Sequence, residues 1–488
     1  MSGSLASSVR QAVIWRSGSQ IAAQVIAWTS TLAVVRILDP SDYGLFAMTQ
    51  VVLAFLSFLN GYGFASSLIQ DREIDALKVR QAFGMLLLVN AGIALIQLAI
   101  APAAAAWYRQ PKIADLLQVQ ALIYLATPFI ALPEVLLMRE IDFRRPALVN
   151  LAASTISASV ALGCALAGLG VWTLVWAPIA YFWARAVGLM LAARFFVWPS
   201  FRFAGAGRMF RFGLVLILSH LGWTIVTHAD VFIASRSLGP HQLGLYAEAL
   251  FLTTIVAWKF VPPLNEVAFP AYSRLQDNLP VLSAAFLKAV RLIMLVTCPL
   301  YLGLAVVAPE AVVVVLGAKW AAMAPLVTII ALAMPAMTLH TLFAPAVTAI
   351  GRPRITMEAS LLGALVMPAA FATGVQWGAT GLAWAWLVAF PVMPLYTFLR
   401  ARGLLGIGAA QLGAAVAPGI GAAAAMAGVV FALDSALGAL PEWSRLVLLV
   451  IAGGLSYAAI LYAVSRETLL ELVALVADRR APSPEPAE

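Results

Sequence analysis

The sequence predicts an all-α, polytopic helical membrane protein with about 14 transmembrane helices. The first observation is composition: 63% of the 488 residues are hydrophobic and 11% are charged. Soluble domains carry about 25% charged residues. The second is that apolar runs of roughly 20 residues, long enough to cross a bilayer as a helix, recur along the chain. The third is that the sequence lacks the alternating segments of about 10 residues that build a membrane β-barrel.

Short connections separate the predicted spans and leave no room for a soluble domain between them. The spans are residues 12–34, 45–69, 82–106, 113–137, 147–168, 171–193, 212–235, 245–269, 287–308, 322–349, 356–376, 379–399, 411–432 and 444–464. We group them into an N-lobe (residues 1–204, spans 1–6), a C-lobe (205–403, spans 7–12), two further spans (404–466) and a Pro-rich tail (467–488). The composition of the tail predicts disorder.

The placement of basic residues predicts the orientation of the chain. Of its 30 Lys and Arg residues, 22 fall in connections on one side of the membrane and six on the other. Basic loops face the cytoplasm, so both termini are predicted to be cytoplasmic. The net charge of +8 is thereby explained without nucleic acid as a partner. The six residues on the outside are Arg36, Arg109, Lys112, Arg236, Lys319 and Arg445.

An internal repeat organises these spans. Residues 36–47 and 236–247 match at six positions, and further matches follow at offsets of 206 and 207. Each copy has six spans, so the copies share one orientation and are related by an axis along the membrane normal. The repeated segment is predicted to be an outside turn shaped by Pro and Gly and anchored by Arg. The shared turn residues are Arg36, Pro40 and Gly44 in the first copy and Arg236, Pro240 and Gly244 in the second.

Several loose motifs, spread over most of the chain, carry a family resemblance. They are residues 36–46, 60–65, 170–174, 229–233, 238–246, 269–276, 316–320 and 349–353. The chain resembles the Wzx-like polysaccharide flippases of the multidrug/oligosaccharidyl-lipid/polysaccharide exporter superfamily, above all the colanic-acid-exporter type. The resemblance implies transfer of a polyprenyl-diphosphate-linked glycan across the bacterial inner membrane for exopolysaccharide, capsule or O-antigen synthesis. We expect no cofactor, and a monomer is the default for the oligomeric state, which the sequence leaves open. The expected partners are membrane lipid and polysaccharide polymerase or export machinery.

Two intramembrane cations are candidate ligands for the substrate diphosphate. Arg185 in span 6 and Lys259 in span 8 lie at similar depths in the two lobes, so each lobe would supply one positive charge. The alternative pairs Arg185 with Glu134 or with backbone carbonyls, and Lys259 with a structural partner or the interface. Arg16, near the start of span 1, is either a third anion contact or an ordinary cytoplasmic anchor.

The acidic and imidazole groups of spans 7 and 8, and Glu134 in span 4, are candidates for lining a cavity or binding a coupling ion. Asp230 and Glu248 lie at similar depth, and neighbouring carboxylates can bind H⁺ or Na⁺. Either could drive antiport; the alternative is a hydrogen-bonded helix contact. Glu266 is predicted to cap the helix near the cytoplasm. His220 and His228 lie on or beside a polar stripe of span 7.

Two other functional classes remain as alternatives. A cation-coupled multidrug or metabolite antiporter of the same fold is less favoured, because span 1 lacks the acidic residue common in those proteins. A glycan polymerase or ligase is poorer still, since no nucleophile and base occur together and no long outside loop exists. We therefore predict no catalytic residues, no metal site and no enzyme activity. Cys164 and Cys298 lie in apolar runs and are predicted to be packing residues.

Overall fold

The computed structural model describes residues 2–57, 76–139, 142, 144–201, 207–438 and 440–464. Side chains are described within these ranges except at residues 2–17, 207–220, 259, 260 and 464. The described residues contain helices and no β-strand. In chain order the α-helices are α1 Ser2–Ile37, α2 Pro40–Ser57, α3 Ala76–Tyr108, α4 Lys112–Gln120, α5 Leu122–Ala126, α6 Pro128–Arg139, α7 Arg144–Leu166, α8 Trp172–Ala192, α9 Gly207–Ala234, α10 Pro240–Leu275, α11 Leu279–Val306, α12 Ala308–Leu316, α13 Ala324–Ala349, α14 Arg354–Gly374, α15 Gly378–Ala389, α16 Val392–Leu405, α17 Ala409–Ala436 and α18 Glu442–Val464. Short 3₁₀ helices occupy Ala318–Met323 and Val375–Trp377.

The predicted polytopic helical membrane fold is confirmed. Eleven helical stretches of the described residues are long and apolar enough to cross a membrane. One of them, Arg354–Leu405, has 52 residues and covers the positions of predicted spans 11 and 12. Helix occurs in the described part of each predicted span. The count of about 14 is thus an approximate one. Residues 60–65 of the family resemblance and the predicted tail lie outside the described residues.

The chain forms two compact units, Met1–Ala247 and Glu248–Glu488. The first unit includes α9 and the first two turns of α10, which the repeat assigns to its second copy. The lobe boundaries expected from the sequence stay predictions.

Within the first unit, α7 and α8 form a hairpin that also packs against α1. Two interhelical hydrogen bonds join the hairpin: Tyr181 donates to Asn150 (2.6 Å), and Ser157 donates to the carbonyl of Ala177 (2.8 Å). Such bonds contribute to helix association in a bilayer, where burial of apolar surface between helices gives little driving force.

Within the second unit, α17 and α18 pack against the helices of the repeat. Gly419 of α17 lies so close to α11 that a Cβ there would be 2.9 Å from the backbone carbonyl of Met294. Tyr457 of α18 donates a hydrogen bond to the carbonyl of Leu295 (2.6 Å). The two helices beyond the repeat are therefore held directly on the backbone of α11, the pattern expected where a small residue permits close helix packing.

Three charged side chains form an ion triad that joins α17 and α18 to α12. Arg445 of α18 lies 2.6 Å from Asp434 of α17 and 3.3 Å from Glu310 of α12. Glu310 is only 5% exposed, and its second carboxylate oxygen has no hydrogen-bond partner among the described residues. The repeat places Ala103 at the equivalent position of the first copy, so Glu310 is specific to the second.

We predict that Arg445→Met lowers the unfolding free energy in detergent by about 2 kcal/mol, because it leaves Glu310 buried without its counter-ion. Thermal unfolding of the purified protein measures the effect. Arg354→Met is the matched control, since Arg354 pairs with Glu358 (3.1 Å) but its side chain is 81% exposed. The control should change the unfolding temperature little. Equal losses in the two variants would contradict the role of the triad.

Candidate functional site

The two copies of the repeated turn have the same local structure. Each turn is closed by a leucine amide that donates to the carbonyl four residues earlier, at 2.9 Å for Leu38 and 2.7 Å for Leu238. Each following helix begins at a proline, Pro40 for α2 and Pro240 for α10. Proline suits the first helical position because the amide it lacks would have no intrahelical partner there. The two turns thus share the same hydrogen bond and the same helix start, and the geometric role of the repeated turn residues stays a prediction.

The two turns lie directly against each other. A Cβ built on Gly44 would overlap the carbonyl oxygen of Pro240, and one built on Gly244 would overlap the carbonyl oxygen of Pro40. The same Cβ positions would lie 3.0 and 2.9 Å from the amide nitrogen of the other glycine. We call this reciprocal arrangement the twin-turn contact. Backbone meets backbone there, so only glycine fits at either position.

Aromatic side chains support the second turn from α3. The Trp107 ring stacks on Phe232 of α9 with centroids 5.2 Å apart and an interplanar angle of 11°. The guanidinium carbon of Arg236 lies 4.6 Å from the centroid of the Trp107 ring, within the range of a cation–π interaction. Arg236 therefore fixes its turn through Trp107. Arg36 is exposed near the end of α1, and interface anchoring by either arginine stays a prediction.

A buried polar pair lies just beside the twin-turn contact. Tyr246 of α10 donates a hydrogen bond of 2.7 Å to the carboxylate of Asp230 in α9, and both side chains are fully buried. Asp230 is one of the candidates predicted from the sequence, whereas Tyr246 is not. A signal was present: at the repeat offset, Asp230 and Tyr246 match Ser30 and Phe46. The carboxylate and the hydroxyl are thus both features of the second copy.

The other candidates of spans 7 and 8 are placed in different environments. Glu248 is buried on α10, His228 is half-buried on α9, and Glu266 is exposed. The side chain of His220 lies outside the described residues. The expected proximity of Asp230 and Glu248 stays a prediction.

Arg185 of α8 is paired with Glu134 of α6. A guanidinium nitrogen of Arg185 lies 2.5 Å from a carboxylate oxygen of Glu134, and both side chains are partly exposed. The sequence left two interpretations of Arg185 open, a substrate ligand and a structural ion pair. The structure contains the ion pair with Glu134 within the first copy. This contact does not test substrate binding by the same arginine. The side chains of Lys259 and Arg16, the other diphosphate candidates, lie outside the described residues.

The described residues contain no group of three or more His, Cys, Asp or Glu side chains that could hold a metal ion. Cys164 and Cys298 are both free thiols, and Cys298 is fully buried in the second unit. The arrangement thus offers a close backbone contact, a buried acid–tyrosine pair and a partly exposed ion pair.

Comparison with known proteins identifies relatives of the chain. Residues 33–325, more than half of the sequence, match the family described as polysaccharide biosynthesis protein. The succinoglycan biosynthesis transport protein ExoT of Rhizobium meliloti (strain 1021) is 24% identical over 382 residues, covering 78% of this chain and 77% of ExoT. The lipopolysaccharide biosynthesis protein WzxC of Escherichia coli (strain K12) is 25% identical over 305 residues, or 60% of each chain.

Among solved structures, the fold resembles that of the lipid II flippase MurJ in its inward closed conformation. The TM-score is 0.76, with 93% of this chain and 99% of MurJ covered at 12% sequence identity. At this identity the likeness concerns the fold alone. The predicted resemblance to Wzx-like transporters is confirmed by the family match and the relatives together, and the family and the fold are those of transporters rather than enzymes.

We predict that Gly44→Ala and Gly244→Ala each reduce export strongly at unchanged protein level. The added methyl group overlaps a backbone carbonyl that cannot turn aside, which disfavours the twin-turn contact by about 1–3 kcal/mol. Export is measured as surface polysaccharide in a strain that depends on the plasmid-borne protein. Gly92→Ala is the matched control, because nothing lies within 4 Å of a Cβ built there. Full export by Gly44→Ala would contradict a functional role for the contact.

Proposed function

Because the chain belongs to the polysaccharide biosynthesis protein family, we propose that it flips polyprenyl-diphosphate-linked oligosaccharide units across the bacterial inner membrane. It is a multi-pass membrane transporter of polysaccharide biosynthesis. Beyond this transporter role, we propose that the substrate is lipid-linked and moves from the cytoplasmic to the periplasmic leaflet. We also propose that the two sequence copies work by alternating access.

The twin-turn contact is the observation that supports the proposal of alternating access. It joins equivalent turns of the two copies through the same atoms in both directions, Gly44 to Pro240 and Gly244 to Pro40. The charge asymmetry predicts that these turns face the periplasm. In that orientation the contact closes the periplasmic side, and release of substrate there requires the turns to separate.

A multidrug antiporter is the second candidate, and it is not favoured. The family match and the named relatives belong to polysaccharide biosynthesis. Span 1, residues 12–34, contains no acidic residue. A glycan polymerase or ligase does not fit the family, which is one of transporters.

Arg185 is a substrate ligand in this proposal, with Glu134 as its resting counter-ion. An unpaired arginine inside a membrane protein is costly, so the empty transporter needs a carboxylate beside it. Only one guanidinium nitrogen is bonded to Glu134, and the side chain is partly exposed. The remaining donors suit a diphosphate, which accepts paired hydrogen bonds from arginine. Arrival of the diphosphate would displace Glu134.

Asp230 is the proposed coupling group, with H⁺ or Na⁺ as the ion. Asp230 accepts a hydrogen bond from Tyr246, which lies two residues beyond Gly244 on α10. A change in the charge of Asp230 therefore acts next to the twin-turn contact. Binding of a cation removes the cost of a buried negative charge and thereby favours one arrangement of α9 against α10.

We predict that purified protein in liposomes flips a fluorescent polyprenyl-diphosphate oligosaccharide, measured by protection of the label from a membrane-impermeant quencher. A proton or sodium gradient should raise the rate, and Asp230→Asn should retain gradient-independent flipping while losing this increase. Gly92→Ala serves as the control for reconstitution. In cells, deletion should accumulate lipid-linked units on the cytoplasmic leaflet. Unpolymerised units on the periplasmic leaflet would contradict the proposal and indicate a polymerase.

We predict that Arg185→Gln lowers export at least tenfold, whereas Glu134→Gln lowers it much less, because Glu134 leaves the arginine when substrate binds. Surface polysaccharide at matched protein level provides the measurement. The double variant Arg185→Gln/Glu134→Gln separates the two roles: a structural ion pair predicts recovery, since neither charge is left unpaired. A substrate ligand predicts that the double variant remains as poor as Arg185→Gln. Recovery would contradict the substrate role.

A further inference from the structure

A short extended segment follows α8 and runs along the first turns of α3. We call residues 195–201 the aromatic strap. Along residues 195–198, buried or half-buried side chains alternate with exposed ones, as they do in an extended chain. Phe195 is buried and packs edge-on against Phe83 of α3, with ring centroids 5.2 Å apart. Val197 packs against the same apolar cluster. The strap is thus a fixed part of the first compact unit.

Hydrogen bonds and a glycine hold the strap on α3. The amide of Ser200 donates to the carbonyl of Arg80 (2.8 Å), and Nε of Arg80 donates to the carbonyl of Trp198 (3.0 Å). A Cβ on Gly84 would overlap the carbonyl oxygen of Ser200, so glycine is what permits the close approach. These contacts lock the alternation, because a shift by one residue would exchange the inward and outward faces.

The outward face of the strap is aromatic and uncovered. Phe196 is 74% exposed and Trp198 is 82% exposed. Two large aromatic side chains two residues apart form an apolar surface of a kind that marks an interaction site when it is contiguous.

The position of the strap indicates what covers this face. The segment begins three residues after the end of α8 and contacts α3 near its start at Ala76, and both helices are long and apolar enough to span a membrane. Helix ends of this kind lie at the boundary between hydrocarbon and water. Basic side chains accompany the aromatic ones: Lys78, Arg80 and Arg194 are all exposed. Tryptophan together with arginine and lysine is the composition favoured in the headgroup layer.

We propose that the aromatic strap is a lipid-binding surface, whose outward rings insert into the headgroup layer of the cytoplasmic leaflet with the basic residues on lipid phosphates. Lipid is the favoured occupant because the strap continues the ends of two spanning helices and its rings are flanked by cations. The strap lies between the first six spans and the second six in sequence. The strap would therefore hold the connection between the two copies at a fixed depth in the membrane while the spans move.

Spin labelling tests the depth of the strap in the full-length protein. The natural thiols are removed by Cys164→Ala and Cys298→Ala, and a nitroxide is attached at Trp198→Cys in liposomes of phosphatidylethanolamine and phosphatidylglycerol. Asp277→Cys, an exposed site between α10 and α11, is the control. We expect the ratio of collisions with oxygen to collisions with a water-soluble nickel complex to be about threefold higher at position 198, as for a group inserted at the headgroup boundary.

Phe196→Cys keeps the test decisive if Trp198→Cys does not fold, and Val197→Cys on the inward face should be protected from both reagents. A ratio at positions 198 and 196 equal to that at 277 would overturn the proposal. Exposure to water in liposomes combined with protection in native membranes would also overturn it, and would indicate a protein partner instead.

Discussion

The arrangement of the two repeated turns depends on one reciprocal backbone contact, between Gly44 and Pro240 and between Gly244 and Pro40. The atoms that a Cβ would meet there belong to the backbone, so no rotamer change can relieve the clash, and the separation of the two turns has little tolerance. Two stronger polar interactions lie beside this contact. Arg236 lies on Trp107, and Asp230 accepts a hydrogen bond from Tyr246. The contact between the two glycines thus sets the positions of Asp230 and Arg236. Displacing such charged groups would cost far more free energy than displacing the glycines themselves.

Much of the fold could be predicted from the sequence, because a bilayer permits few solutions for an apolar chain. Span positions follow from hydrophobic length, and the repeat follows from a nearly constant offset. The twin-turn contact could not be predicted, because a repeat establishes that Gly44 and Gly244 are equivalent and says nothing about whether they touch. The pairing of Arg185 with Glu134 was one of two open alternatives, since a helix pattern gives depth but not the neighbour across a gap. The alternation of buried and exposed side chains in residues 195–198 is too short to stand out from the apolar runs beside it.

The two copies share a scaffold and differ in the polar groups placed on it. The first copy contains the partly exposed pair of Arg185 and Glu134, whereas the second contains buried Asp230 and Glu310. A symmetric scaffold with asymmetric charges allows the ends of the cycle to differ in energy. In the proposed mechanism, one copy contacts the charged substrate while the other responds to an ion.

The ion triad around Arg445 also bears on how such a chain can be shortened. Because the twelve spans of the repeat look like a complete unit in sequence, removing α17 and α18 is an obvious way to make a minimal transporter. That truncation would strip Glu310 of its counter-ion and uncover the backbone of α11 at Met294. A shortened chain would need alanine at position 310, the residue that the first copy already has at position 103. The two terminal helices have therefore become part of the protein's folding unit, whatever their origin.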